Sequence, residues 1–523
     1  MQDSQSSLQL SMAMLERGRY AEAEHQAMKI GTGDPLVSLA LELAAIAMEK
    51  QGRVAEGLIM LQYAASIDPH NASIQYNIWV FYEALGDVSA SMMAYQTCLR
   101  IQPNHADALW NYAEQLRVRE LFDQALVLLE RMEPFVTDEQ RQVNYFHRLA
   151  VTLFSLQEYA RARSAFEKAL SFQSVYHAAT QWEYSHMLLA LGEWKMGWLA
   201  YDYRFAAGSN SNVRCHQFPY PQWQGEKLMG KTLLIHGEQG LGDEIMFGQL
   251  VGELKREAKH IIWACRPSLA RLFAHSHPEV TVLPHHVGEA PAEISDKNVD
   301  FQIPVCSLAR WRRQSDTDFL GKNKTLFPVL EQVGEFDNKL SRFAGADVEK
   351  DRKFRIGVMW GANPAIGVQW AQARSAQKSI PVEKLVPLSQ FCEQVQFVSL
   401  QNRDVAREMS NAPELDMIDC HRDLVDMSDT SALVANMDLV LTVDTSIAHL
   451  AGAMGKEVWI LLMDRADWRW QHEEKSSIWY PTATLFRQPI QGDWDAVVVN
   501  LIDAMQIWLQ DRKGVGFFGQ GED

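Results

Sequence analysis

The chain is 523 residues long, which exceeds a single hydrophobic core and points to about three to four domains of roughly 150 residues each. Apolar residues make up 47% and charged residues 22%, the balance of a water-soluble globular protein. With 49 Lys and Arg against 66 Asp and Glu the formal charge is −17. That excludes a broad nucleic-acid or anionic-membrane surface, but not a small basic pocket for a nucleotide diphosphate.

The six cysteines (Cys98, Cys215, Cys265, Cys306, Cys392 and Cys420) are scattered without CxxC spacing. Neither a zinc site nor a disulfide framework is expected, which suits a reducing compartment. Met1-Gln2-Asp3-Ser4 does not begin a basic region followed by an apolar run, and no apolar stretch reaches membrane-spanning length. The expectation is a cytoplasmic protein with no signal peptide and no membrane span.

Taken in chain order, the front of the sequence is periodic. Gly18, Gly52 and Gly86 recur every 34 residues, and so do Pro35, Pro69 and Pro103. This double register is the period of tetratricopeptide (TPR) repeats, each a pair of helices. The glycine is expected in the turn between the two helices, where close approach leaves no room for a side chain. The proline ends the second helix. Trp79, Tyr82, Tyr95 and Cys98 fill the third unit; Leu116, Ala125 and Leu129 fill a fourth, with Glu120 in the glycine position. A fifth unit, Glu158 to Leu170, comes three residues late, which places a short insertion near Glu133–Gln140. Leu189 to Tyr201 forms a sixth. Stacked pairs of this kind build one α-solenoid, and Trp79, Tyr82, Phe166 and Trp198 are expected to pack between helices. The concave groove of such an array suits an extended peptide or partner protein.

Past Phe205 the period stops, and Gly208-Ser209-Asn210-Ser211-Asn212 reads as a linker. Lys231–Ile235 is a buried strand that ends in the glycine-rich turn Gly237–Asp243, with a helix carrying Ile245, Phe247 and Leu250 after it. Strands at His260–Cys265 and Thr281–Leu283 flank a helix at Ser268–His275. A second series starts at Phe354–Trp360, with strands at Gln396–Leu400, Met417–Asp419, Asp438–Val443 and Val458–Leu462, helices at Thr430–Asn436 and Ile447–Met454, and a final helix at Asp495–Arg512. Repeated strand-loop-helix units predict parallel sheets with helices on both faces. The expected domains are a TPR superhelix of about six repeats over 1–206, an irregular connection over 207–230, and two α/β halves over 231–350 and 351–523.

Ligands of parallel sheets sit beyond the carboxyl ends of the strands. In Gly237–Asp243, Gly240 and Gly242 allow backbone approach, and Asp243 reads either as a helix cap or as a polar group offered to a ligand. In Thr442–His449 a strand runs into a helix, whose free amides suit a diphosphate. Thr445 and Ser446 add hydroxyls there, and His449 lies one turn in, either as a core residue or facing the phosphates. Arg374, Lys378, Arg469 and Arg487 are candidate phosphate partners or ordinary surface cations. His275, His277, His285 and His286, and the triplet Asp316-Thr317-Asp318, are weak metal candidates, and no metal site is expected.

At these residues the sequence resembles a known family. Asp438-Leu439-Val440 and Asp444-Thr445-Ser446-Ile447-Ala448-His449-Leu450-Ala451-Gly452 look like the C-terminal signature of heptosyltransferase-like (family 9) glycosyltransferases, and Glu238–Glu244 like their N-terminal Gly-Asp motif. The whole chain is similar to bacterial TPR-containing glycosyltransferases through Leu191–Tyr201, Phe218–Trp223, Ser399-Leu400-Gln401, Trp468-Arg469-Trp470, Trp479-Tyr480-Pro481 and Leu485–Gln488. It departs after Trp360-Gly361-Ala362-Asn363-Pro364, where a histidine and an Asp-Arg-x-Arg-Ser-Ile run are usual. Here Lys378-Ser379-Ile380-Pro381 is the better match to the basic-Ser element than Arg374-Ser375.

The resemblance implies a GT-B transferase of two Rossmann-like halves joined to the N-terminal TPR α-solenoid, a multidomain α and α/β chain. It implies metal-independent transfer from a nucleotide-sugar co-substrate, without a further cofactor. Asp243 would be the general base, and Asn363, Lys378, Ser379, Gln401, Asp444, Thr445, Ser446, His449 and Arg469 would line the donor. The expected acceptor is a Ser or Thr hydroxyl of a protein such as flagellin, presented by the TPR groove. The rivals are a lipopolysaccharide or polysaccharide acceptor, and a TPR adaptor with an inactive transferase domain.

Overall fold

The computed structural model describes residues 2–208, 213, 218–286, 294, 298–319, 324–343, 353–362, 369–401 and 406–514. They form two compact units, Met1–Ser174 and Val175–Asp523.

The first unit is five helix pairs: Gln2–Glu16 with Tyr20–Ala27, Val37–Lys50 with Val54–Ile67, Ala72–Leu85 with Val88–Ile101, Ala106–Val118 with Phe122–Met132, and Glu139–Ser155 with Tyr159–Leu170. A residue with left-handed backbone stands at every intra-pair turn: Gly18 (φ 73°), Gly52 (79°), Gly86 (76°), Glu120 (59°) and Gln157 (61°). This corrects the reason expected for the glycines. A Cβ at Gly52 or Gly86 would meet nothing within 4 Å, so it is the positive φ and not crowding that selects glycine. Glu120 and Gln157 adopt the same φ at the cost that a side chain brings to this region. Crowding does act at Gly57, where a Cβ would lie 2.5 Å from Phe81 and 2.9 Å from the carbonyl oxygen of Ala45. The aromatic positions pack as expected: the Trp79 and Tyr95 ring centres lie 4.6 Å apart, and those of Tyr95 and Tyr112 4.2 Å. The insertion forms a short turn of 3₁₀ helix, Glu133–Phe135.

The second unit opens with one more helix pair, His177–Ala190 and Trp194–Tyr201, whose turn again carries a left-handed glycine, Gly192 (φ 74°). This pair therefore lies in the compact unit of the α/β halves, although its sequence continues the repeat pattern. Trp198 is buried against Phe247, Trp468 and Trp479, with ring centres 5.6–6.4 Å away.

Two parallel sheets follow. The first contains β1 (Thr232–His236), β2 (His260–Cys265), β3 (Thr281–Pro284) and β4 (Phe301–Pro304) in the order β3-β2-β1-β4. The second contains β5 (Phe354–Met359), β6 (Val395–Ser399), β7 (Ile418–Asp419), β8 (Leu439–Val443), β9 (Val458–Leu462) and β10 (Ala483–Arg487) in the order β10-β9-β8-β5-β6-β7. Counted from its own first strand, the second sheet runs 3-2-1-4-5-6, the doubly wound order; the first sheet keeps its 3-2-1-4 portion. The central strands read as apolar runs because both faces are covered: Leu233, Leu234 and Ile235, and Leu439, Val440 and Leu441, are all buried. β4 and β10 were not anticipated. Both are edge strands whose pairing, Leu233 to Phe301 and Leu461 to Phe486, comes from remote partners. The final helix, Trp494–Gly514, packs on the second half through Trp494, Val497 and Leu501 against Leu385 and Leu388.

Candidate functional site

In a doubly wound sheet the strand order reverses at a switch point, and loops leaving the two strands there separate into a crevice. In the second half this point lies between β5 and β8, at residues 360–362 and 444–446. In the first half it lies between β1 and β4, at 237–243 and 305–308. These switch points meet. The helix Leu241–Gly248, which leaves β1, packs on the helix Ser446–Ala453, which leaves β8. A Cβ on Gly242 would lie 2.7 Å from Cδ2 of His449 and 3.6 Å from Cα of Ser446, so the two helix N-termini converge. Gly242 is glycine because its neighbour is an imidazole from the other half.

Asp243 is the third residue of its helix. Its Oδ2 accepts the Gly240 N–H at 2.9 Å, so it caps its own helix, and its Oδ1 accepts from Arg469 Nε at 3.0 Å and also from Arg469 Nη2. The N-cap position itself belongs to Gly240; Asp243, at the third helical position, closes back on it and turns its other oxygen to Arg469 of the second half. Arg469 comes from the 3₁₀ turn Trp468–Trp470, which is capped by Asp467. The same guanidinium donates to Asp467 Oδ1 at 2.5 Å. Sequence reasoning passed over Asp467; its one local signal is its place ahead of the Trp-Arg-Trp turn. Burial would raise its carboxyl, but Arg469, followed by Lys378 and Arg374, holds it well below the usual range. Burial likewise opposes the charge on Arg469, and Asp243 with Asp467 more than restores it.

Lys378, at the end of the helix Gln369–Lys378, pairs with Asp444 at 2.5 Å. Burial would raise the Asp444 carboxyl, and Lys378 reverses this and lowers it, against the repulsion of Asp467. Asp243, Asp444 and Asp467 thus face Arg374, Lys378 and Arg469 as a charge-balanced set gathered from four segments.

The other predicted residues play supporting parts in this geometry. Thr445 caps the helix Ser446–Ala453, its hydroxyl accepting the Ile447 N–H at 3.3 Å. Ser446 is half-buried at the same terminus. Ser379 Oγ accepts the Ala362 N–H at 2.9 Å and donates to the Ser375 carbonyl at 2.8 Å. Gln401 is wholly buried; it accepts the Gly361 N–H and donates to the Gly361 carbonyl, both at 3.1 Å. Ser379 and Gln401 therefore hold the 361–362 backbone. His449 is 4% exposed, stacked on Trp470 at 5.1 Å, with Nδ1 2.9 Å from the Tyr480 hydroxyl; burial pushes its pKa down to about 4. Arg487 donates to the carbonyls of Trp470 and Gln471, supporting the turn that carries Arg469. Asn363 lies outside the described residues, as does the stretch 364–368.

The two carboxylates of the acidic triplet have other partners. Asp318 Oδ2 accepts from the backbone N–H groups of Gln314 and Ser315 at 2.8 and 2.9 Å, and Asp316 accepts from Trp194 Nε1 at 2.6 Å. No group of three or more His, Cys, Asp or Glu suited to a metal occurs among the described residues. No described helix is long and apolar enough to cross a membrane.

The tetratricopeptide-repeat family model matches residues 72–105 and 143–175. Protein FlbA of Caulobacter vibrioides is 24% identical over 539 residues, covering 93% of this chain and 87% of FlbA. Among solved structures, the ADP-heptose lipopolysaccharide heptosyltransferase II of E. coli aligns over 54% of this chain and 99% of its own, with 12% identity and a TM-score of 0.40. The family 9 glycosyl transferase of Veillonella parvula aligns over 55% of this chain and 99% of its own, with 14% identity and a TM-score of 0.41. The chain carries tetratricopeptide repeats, and the two glycosyltransferase structures align over about half of its length.

Proposed function

We propose that the second unit is a GT-B glycosyltransferase that moves a sugar from a nucleotide-sugar donor to an acceptor hydroxyl without a metal ion. The observation that carries this reading is the meeting of Asp243 with Arg469, Lys378 and Asp444 where two helix N-termini converge between the halves.

The positive dipole end of the helix Ser446–Ala453, the Ser446 hydroxyl and the cations Lys378, Arg374 and Arg469 suit the donor's diphosphate. They would stabilise the charge that develops as the nucleoside diphosphate leaves. In the tautomer where Tyr480 donates to Nδ1, neutral His449 carries its proton on Nε2 and adds a donor. Gln401 and Ser379 shape the 361–362 backbone beneath the nucleotide. When the diphosphate draws Arg469 away, the Asp243 carboxylate is released to take the acceptor's O–H proton. The acceptor oxygen then bonds to the anomeric carbon, and the electron pair of the broken C–O bond leaves with the nucleoside diphosphate.

The acceptor in this reading is a Ser or Thr side chain of a protein such as flagellin, recognised through the TPR groove. Half-exposed Tyr76, Trp110 and Arg148 on the repeats, with Arg148 stacked 4.1 Å over Trp110, support a polypeptide partner. A thermal-shift screen against UDP-, GDP-, ADP- and CMP-sugars tests the donor half of this reading, and a stabilised complex with one of them is expected. Mass spectrometry of the acceptor fraction tests the other half: sugar found only on lipid would overturn the protein acceptor.

A further inference from the structure

Arg204 follows the helix Trp194–Tyr201, in a 3₁₀ turn spanning Asp202–Phe205, and is fully buried. A guanidinium carries five N–H donors, and here all five have acceptors. Nε meets Glu238 Oε2 at 2.7 Å. Nη2 meets Glu238 Oε1 and Ser307 Oγ, both at 2.7 Å. Nη1 meets the Tyr201 carbonyl and Asp202 Oδ1, both at 3.2 Å. Glu238 is equally buried, and its Oε1 also accepts the Cys306 N–H at 3.1 Å. One fork therefore ties the loop leaving β1 to the turn leaving β4.

The next residue is held from the same helix: Gln239 Nε2 donates to the Tyr201 hydroxyl at 2.8 Å, while its carbonyl accepts from Arg266. Glu238 and Gln239 are the residues that lead into Gly240–Asp243. Tyr201 also packs on Trp468, with ring centres 5.8 Å apart, beside Arg469. The helix Trp194–Tyr201 thus touches both of the loops whose side chains meet in the Asp243–Arg469 pair.

We propose that Arg204, aided by Tyr201, is a positioning residue for Asp243, so that the helix pair at 177–201 is a working part of the transferase. The proposal rests on the reading of the second unit as a glycosyltransferase. A bidentate fork between two buried groups fixes direction as well as distance. A displacement of about 1 Å at a reacting group can cost on the order of 10²-fold in rate.

The test uses the full chain and three variants: Arg204→Lys, Tyr201→Phe and the double variant R204M/E238M. Nucleotide-sugar turnover is read as kcat and KM, beside binding of UDP, GDP and ADP alone. Arg204→Lys keeps the charge and loses the fork, and is expected to lower kcat about 100-fold with nucleotide affinity within about threefold of wild type. Tyr201→Phe is expected to lower kcat about threefold to tenfold. Replacing both members of a buried ion pair by apolar groups leaves no unpaired charge, although the Cys306 N–H and the Tyr201 carbonyl lose a partner, so the double variant is expected to melt somewhat below wild type and to stay slow. If its kcat recovers together with its melting temperature, the pair is only structural and the proposal falls. Should wild type turn over none of the four nucleotide sugars, the transferase reading falls instead. Amide exchange over 237–244 then decides the positioning: selective acceleration in Arg204→Lys upholds it, and unchanged protection overturns it.

Discussion

Asp243 and Arg469 stand 226 residues apart in the chain and belong to different halves, yet Arg469 Nε donates to Asp243 Oδ1 at 3.0 Å. The same guanidinium also holds Asp467, so it bridges carboxylates of the two halves. In the proposed transferase this shared cation would link occupancy of the diphosphate site to the freedom of Asp243.

If Asp243 removes the acceptor proton, Asp243→Asn keeps the shape and the cap on Gly240 but loses the base. Turnover is expected to fall by roughly 10²- to 10⁴-fold, with nucleotide binding retained. Steady-state kinetics beside a nucleotide titration check this, and an unchanged kcat refutes the assignment.

Gly242→Ala puts a methyl 2.7 Å from the His449 ring, which is itself backed by Trp470. The halves must part or the helix must shift, at a cost of about 1–3 kcal/mol. A lower melting temperature together with a loss of turnover of at least about tenfold is expected.

Gln401→Leu preserves volume but leaves the Gly361 N–H and carbonyl without their partners. Stability should drop by about 1–3 kcal/mol. Nucleotide affinity should weaken as well, because the freed backbone lies at the switch point; calorimetry of binding reads both effects.

Acid should destabilise the second unit in a defined window. His236, His277 and His449 are buried, and burial is the largest cause that takes each pKa down to about 4. Their unfolded forms take up protons near pH 6.5, so stability is full above that value and is lost as pH falls towards 4. Burial acts oppositely on Glu244, lifting its carboxyl to about 7, so that its proton uptake in the folded state offsets one histidine between pH 4.5 and 7. The net difference of two protons gives a slope of about 2.7 kcal/mol per pH unit between pH 4.5 and 6.5. Denaturant unfolding at several pH values measures this slope. His277→Leu, away from the crevice, should flatten it by about 1.4 kcal/mol per pH unit.

The sequence already showed the site's two loops, because each is a local pattern: an apolar strand, a glycine or hydroxyl turn, and a helix. Gly240 beside Asp243 follows from that pattern alone, whereas Thr445, expected to offer a hydroxyl to a diphosphate, caps its own helix. Arg204 and Asp467 were missed because neither sits in a local pattern that marks chemistry; their importance comes from Glu238 and Arg469, which reach them through the fold. Gln401 and Ser379 were expected to line a donor, and their bonds go to the backbone of Gly361 and Ala362.

By itself the sequence determined the 34-residue period, the places of the turns that the glycines mark, and the buried parallel strands. Those features arise from hydrophobic spacing and φ preferences that act within a few residues. Only the tertiary structure decided that the helix pair at 177–201 lies in the second unit and that Asp243 shares Arg469 with Asp467. These depend on which distant surfaces exclude water together. Trp198 finds Phe247, Trp468 and Trp479, and a buried charge takes the counter-ion that the packing brings to it.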